Sequence, residues 1–176
     1  MILVVAATEA ELAGAREAET LVCGVGPVEA AAATARALAD GNLEGVLHVG
    51  IAGARGLEAP ALVIGSEAVY EDAAGPLVPA RVEPDARWLA AARQALPDAV
   101  VAPIGTSARV GGTSACRVEA MEGFSVLRAA ALAGVPALEV RAVSNDVGEP
   151  DRSRWRFDDA LEALAAAVPV LLRVLR

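Results

Sequence analysis

The chain has 176 residues, 55% hydrophobic but only 3% aromatic, and a formal net charge of -8 with no lysine, every basic residue being arginine. That length fits one domain, residues 1–176, with a real core built of Ala, Val and Leu. The acidic balance argues against a nucleic-acid partner, whose phosphates need basic patches, and favours a small-molecule substrate.

Residues 1–7, MILVVAA, read as a first buried strand. They lack the basic flank of a signal peptide, and no uncharged run in the chain approaches membrane-spanning length, so no membrane partner is expected. Glu9 and Glu11 follow. TLVC, 20–23, is a short second strand, and Gly24-Val25-Gly26-Pro27 opens an Ala-rich helix to about Ala39, with Pro suited to its first turn. This GxG lacks the third glycine of a dinucleotide fingerprint, so no nucleotide cofactor is expected.

GVLHV, 45–49, is the next strand, with His48 read as a core residue. It delivers Gly50-Ile51-Ala52-Gly53-Ala54, read as a Gly-rich turn where a ligand approaches the backbone. Leu62–Ile64 and Glu67–Tyr70 read as a strand pair around Gly65-Ser66, and 75–84 as loop. A helix spans 84–96, with Trp88 on its packing face, and Val100–Ile104 is a strand. Val110-Gly111-Gly112-Thr113 makes a third glycine turn.

The stretch 118–150, VEAMEGFSVLRAAALAGVPALEVRAVSNDVGEP, organises the rest. Val118 to Met121 approach a turn, Glu122 opens a helix, and Gly134-Val135-Pro136 ends it. Ala137–Val143 is a strand running into Ser144-Asn145-Asp146. Arg152 and Trp155 follow in a charged loop, and a closing helix spans about 158–175, with Pro169 a candidate kink. Cys23 and Cys116, without CxxC spacing, read as reduced core thiols of a cytoplasmic protein. One histidine and no Cys/His cluster give no metal site.

Strands alternating with helices predict an α/β fold with a central mixed, largely parallel twisted sheet flanked by helices. In it Glu11, residues 50–53, Val110, Gly111, Glu122 and Asn145 converge on one rim of strand ends.

Five stretches in this order resemble the nucleoside phosphorylase and nucleosidase superfamily: TEAEL, GVGPVEAA, VGIAGA, VEAMEG and RAVSND. The last two are similar to the ribose-binding and purine-contacting segments of methylthioadenosine nucleosidases. Asn where adenine-cleaving members carry Asp, together with DRSRW, makes the futalosine hydrolases of menaquinone biosynthesis the nearest resemblance. The chain is shorter than that family's usual length, mainly between Glu11 and Thr20. The resemblance implies a nucleoside phosphorylase-like fold, a nucleoside substrate, water as second reactant, no cofactor and a homo-oligomer.

It also implies roles. Glu11 would activate water, with Glu9 as fallback. Glu122 would bind ribose and favour an oxocarbenium-like transition state. Asn145 would read the purine, with Asp146 the alternative if the register slips by one. Ile51, Ala52, Gly53, Val110, Gly111 and Met121 would line the pocket, and Arg152 and Trp155 would close over the far end of the substrate. A departing 6-oxopurine protonated at N7 offers one donor and one acceptor, which an Asn amide matches. An acidic TEAEL where phosphate would sit favours water over phosphorolysis. A methylthioadenosine-type nucleosidase, a purine nucleoside phosphorylase and a non-catalytic nucleoside-binding module remain the alternatives.

Overall fold

The computed structural model describes residues 1–73, 75–111 and 115–175. Its strands are β1 (Ile2–Ala6), β2 (Glu19–Val22), β3 (Gly45–Ala54), β4 (Leu62–Tyr70), β5 (Arg81–Val82), β6 (Val100–Thr106), β7 (Val118–Ala120) and β8 (Ala137–Asp146). Its helices are α1 (Pro27–Leu38), α2 (Ala86–Ala95), α3 (Gly123–Ala133) and α4 (Phe157–Val174), with 3-10 turns at Glu9–Leu12 and Arg152–Arg154.

The eight strands form one sheet in the order β2-β1-β3-β7-β6-β4-β5, and β8 pairs with both β3 and β4. Five strands, β3, β7, β6, β4 and β8, therefore close on themselves as a ring. Pairs β1–β2, β1–β3, β3–β8, β4–β6 and β6–β7 are parallel; β3–β7, β4–β8 and β4–β5 are antiparallel. The sheet is mixed and largely parallel, as the alternation of elements predicts. Ring closure could not be read from element order alone, because it depends on β8 inserting between β3 and β4.

Period-2 alternation divides the core. Val4, Leu47, Val49, Leu138 and Val140 pack with Trp88 and Ala92 of α2 and with Leu164 and Leu171 of α4. Leu3, Val5 and Val46 pack on the other side with Ala30 and Leu38 of α1 and with Leu127 and Ala130 of α3. A third cluster, including Ala52, Val63, Ile104, Val118 and Val143, draws one or more residues from each ring strand. Each fully buried Leu, Ile or Val stabilises by about 1.5–3 kcal/mol.

Local chemistry sets the helix ends. Asp85 caps α2 by accepting from Arg87 N at 3.0 Å and Trp88 N at 2.9 Å. Gly134, at φ 73°, ends α3 in the left-handed region that glycine adopts freely. Pro169 does not end α4, which runs on to Val174. Its missing N–H leaves the Ala165 carbonyl without a helical donor. Gly14 packs on that carbonyl, and a Cβ there would lie 2.6 Å from it.

Some sequence expectations need correction. Residues 50–54 are not a turn but the second half of β3. Residues 62–70 are one strand, not a pair; a register irregularity between Gly65 and Ala68 stands where the turn was expected. The 75–84 loop contains the short edge strand β5. Gly112 and Thr113 of the third glycine turn lie outside the described residues. Cys23 is buried as expected, but Cys116 is only half-buried, in the segment before β7.

Candidate active site

Glu11 sits in the 3-10 turn that follows β1, and only 6% of it is exposed. Its Oε2 accepts from Thr8 N at 2.9 Å and Thr8 Oγ1 at 2.8 Å, and its Oε1 accepts from Ile51 N at 3.0 Å. The short turn thus folds its carboxylate back over β3. Glu122 is the residue before α3 and is also buried. Its Oε1 accepts from Gly26 N at 3.0 Å. Gly26 has φ 97°, a conformation just ahead of Pro27 that a side chain would resist.

Between the two carboxylates lies Arg141 of β8, 1% exposed. Its Nη1 donates to Ile51 O at 3.4 Å, its Nη2 to Glu122 Oε2 at 3.4 Å and to His48 Nε2 at 2.5 Å, and its Nε to Glu139 Oε1 at 2.8 Å. His48 donates from Nδ1 to Val5 O at 2.9 Å, which leaves Nε2 as the acceptor. Burial, then the Arg141 charge, hold this imidazole well below its ordinary pKa, so it stays neutral. Burial pushes the Glu139 carboxyl up against the pull of Arg141. Glu139, Glu122 and Glu11 together hold the Arg141 guanidinium charged despite its burial. Burial, then Glu122, push the nearby Cys23 thiol up to about 12, so no thiolate is available there.

Gly50 explains how two opposite charges share this floor. A Cβ at residue 50 would lie 2.2 Å from Arg141 Nη1 and 2.8 Å from Glu11 Oε1. Those two atoms are therefore no more than about 5 Å apart, with only backbone beneath them. The glycine is a close-approach position within a strand rather than a turn.

Asn145 lies at the far end of β8. Between Ala52 and Gly53 the β3–β8 register shifts, so Val143 pairs with Ala52 and Asn145 with Gly53, and Ser144 is the extra residue. Such bulges re-aim side chains beside sites. Asn145 Oδ1 accepts from Ser144 Oγ at 2.7 Å and its Nδ2 donates to Asp146 O at 2.9 Å. A Cβ on Gly53 would come 3.1 Å from Nδ2. Asp146 is exposed, its Oδ1 accepting from Gly148 N at 2.7 Å.

Ile51 enters through its backbone; its side chain packs on the opposite core. Ala52 is buried, Met121 is half-buried beside Glu122, and Val110 and Gly111 are exposed on the loop after β6. Arg152 and Trp155 stand together, the guanidinium 5.5 Å from the ring centroid, and the indole donates to Glu149 O at 3.1 Å. Arg156 N donates to Ser144 O at 2.8 Å and ties this segment to the bulge. A groove of about 1190 Å³ lined by Met1, Arg16, Trp88, Ala165 and Leu175 shares none of these residues.

The model of the phosphorylase superfamily matches residues 10–117. Over 190 aligned residues, 89% of this chain and 79% of the relative, the chain is 38% identical to a futalosine hydrolase of Streptomyces coelicolor. The chain belongs to the futalosine hydrolase family of the phosphorylase superfamily. Solved structures share its fold. A futalosine hydrolase mutant of Helicobacter pylori superposes with TM-score 0.89 over 98% of both chains at 15% identity. A Streptococcus pneumoniae MTA/SAH nucleosidase, in complex with 8-aminoadenine, superposes with TM-score 0.86 over 98% of this chain and 99% of that one, at 19% identity.

As a member of the futalosine hydrolase family, the chain is an N-ribosyl hydrolase. No described helix is long and apolar enough to cross a membrane. Sequence reading missed Arg141, Glu139 and the polar role of His48. The available signal was Glu139 and Arg141 two apart in a strand, which places both on one face beside His48 of β3.

Proposed function

We propose that this protein hydrolyses the N-ribosidic bond of futalosine, releasing hypoxanthine, as a step in menaquinone biosynthesis. The observation that carries the reading is the pair of buried carboxylates, Glu11 and Glu122, joined through Ile51 and Arg141. An ionised carboxylate has about four lone-pair directions. Glu122 has one acceptance on each oxygen, which leaves each oxygen free for one ribose hydroxyl. Its charge then faces the oxocarbenium-like sugar as the bond breaks. Glu11 retains one direction on Oε1, on the side shared with Arg141, and there orients and deprotonates the attacking water.

Asn145 supports hypoxanthine as leaving group. With one Oδ1 lone pair and one Nδ2 hydrogen already used, it keeps one acceptor and one donor. These meet N7–H and O6 of a departing 6-oxopurine. Met121, Ala52, Gly53, Val110 and Gly111 line the sugar and base. Arg152 meets the benzoate of futalosine, with Trp155 as its stacking support. Water rather than phosphate is the acceptor, because the turn after β1 is acidic and its Glu11 already occupies the Ile51 N–H. The protein acts as a cytoplasmic homo-oligomer.

Free base is measured after incubation with futalosine, inosine and methylthioadenosine. Hypoxanthine from futalosine above the other two supports the reading. Preferred adenine release from methylthioadenosine would assign the chain to the adenine-cleaving nucleosidases. No release from any of the three would leave a binding module.

A further inference from the structure

We propose that Glu139 is a positioning residue: by taking the shorter of Arg141's two carboxylate hydrogen bonds, it holds the guanidinium off Glu122 and keeps that carboxylate open for ribose. This rests on the reading of Glu122 as the ribose-binding group. An isolated buried Arg–Glu pair contracts to about 2.7–2.9 Å, the length of a full charge-assisted hydrogen bond. Arg141 reaches that length with Glu139, at 2.8 Å, and stays 3.4 Å from Glu122. A guanidinium is a planar fork of fixed shape, so binding Nε to one carboxylate and Nη2 to His48 fixes where the rest of the fork lies.

The surroundings of Glu139 fit this duty. It is wholly buried, and its Oε2 has no hydrogen-bond partner among the described residues. Only Oε1 is engaged, and Arg141 engages it. Gly123, the first residue of α3, makes room: a Cβ there would fall 2.2 Å from Oε2. The carboxylate therefore lies against the amino end of an eleven-residue helix, where the dipole favours negative charge. On the other side Gly65 of β4 offers no charge, its Cβ position being 3.5 Å from Glu139 Cβ. Among the described residues, Arg141 is the cation that acts on Glu139, and Glu122 is a carboxylate drawn to the same guanidinium. His48 completes the clamp, because its neutral Nε2 can only accept.

The experiment is a crystal structure of Glu139→Gln together with steady-state kinetics on futalosine. Arg141 Nη2 is expected to close on Glu122 to about 2.8 Å. KM should rise about tenfold, the loss of one good hydrogen bond, with a smaller change in kcat. Glu139→Asp retains the charge on a shorter arm and should recover part of the KM; it carries the test if the glutamine variant does not fold. A merely structural Glu139 would lower thermal stability without separating KM from kcat. An unmoved guanidinium with KM unchanged would overturn the proposal. If the wild type does not cleave futalosine, the functional reading fails, and the Arg141–Glu122 distance in the variant still decides the inference.

Discussion

The buried charge cluster within β8 and the turn at Arg152–Trp155 beyond that strand both gather cations and polar side chains, and they are built in opposite ways. In the cluster every charged group is buried, and Arg141 at its centre is held by four partners. In the turn Arg152 is exposed and rests on one indole. Burial raises the value of each charge, because electrostatic interactions strengthen as water is excluded, and it fixes geometry before substrate arrives. An exposed arginine beside one ring is screened and contributes little until a ligand covers it. On the proposed function, bond-breaking falls to the cluster and recognition of the substrate's far end to the turn.

The largest expected effect is at Glu11. Glu11→Gln keeps the contacts of a carboxamide but cannot take a proton, so kcat should fall by about 10²–10⁴-fold with the dissociation constant for futalosine little changed. Stopped-flow hypoxanthine release and equilibrium binding give the two numbers. Turnover at the wild-type rate would remove Glu11 from the chemistry. Next is Asn145→Asp, which on the proposed function replaces the donor for O6 by an acceptor. The ratio of catalytic efficiencies on matched 6-oxo and 6-amino nucleosides should shift by on the order of a hundredfold. An unmoved ratio would transfer base reading to Asp146 or to the backbone at Val110 and Gly111.

These two residues show how much was legible in the sequence. Glu11 and Glu122 stood out because each follows a strand, where an α/β sheet gathers its ligands. Asn145 stood out for the same reason, although no pattern announced the bulge at Ser144 that sets its direction. The floor of the site was hidden. Residues 50–54 read as a turn because glycine is a turn former, whereas Gly50 is there to let Arg141 and Glu11 approach one strand. Glu139 and Arg141 were lost inside an apolar run, since a pair of charges that neutralise each other in a core leaves the run looking like any buried strand. His48 was rightly read as buried, and its tautomer and partner were visible only once β8 lay beside β3.

A smaller effect, on stability, sharpens the account of the cluster. The unfolded imidazole takes a proton as pH falls through 6.5, while folded His48 does not. Stability is therefore complete above 6.5 and is lost as pH falls below it, by up to about 1.4 kcal/mol per pH unit. Glu139, whose folded pKa is raised, acts in the opposite sense: its contribution is whole below 4.5 and lost as pH rises. The difference between wild type and His48→Gln isolates the histidine. Urea midpoints from pH 5 to 8 should show the extra acid loss in the wild type alone, and parallel curves would mean that His48 takes up its proton alike in the folded and unfolded protein.

The smallest effect belongs to the turn. Arg152→Ala should raise KM for futalosine about threefold to tenfold and leave inosine, which has no benzoate, unaffected. Equal changes on both substrates would erase the division of labour drawn between turn and cluster.

The most direct test of the central claim is the rate of hypoxanthine release from futalosine in buffer stripped of phosphate, compared with the same reaction in saturating phosphate. With Glu11 holding the attacking water, the account predicts equal rates and a free reducing sugar as co-product in both. Release that requires phosphate and yields a sugar 1-phosphate would contradict it.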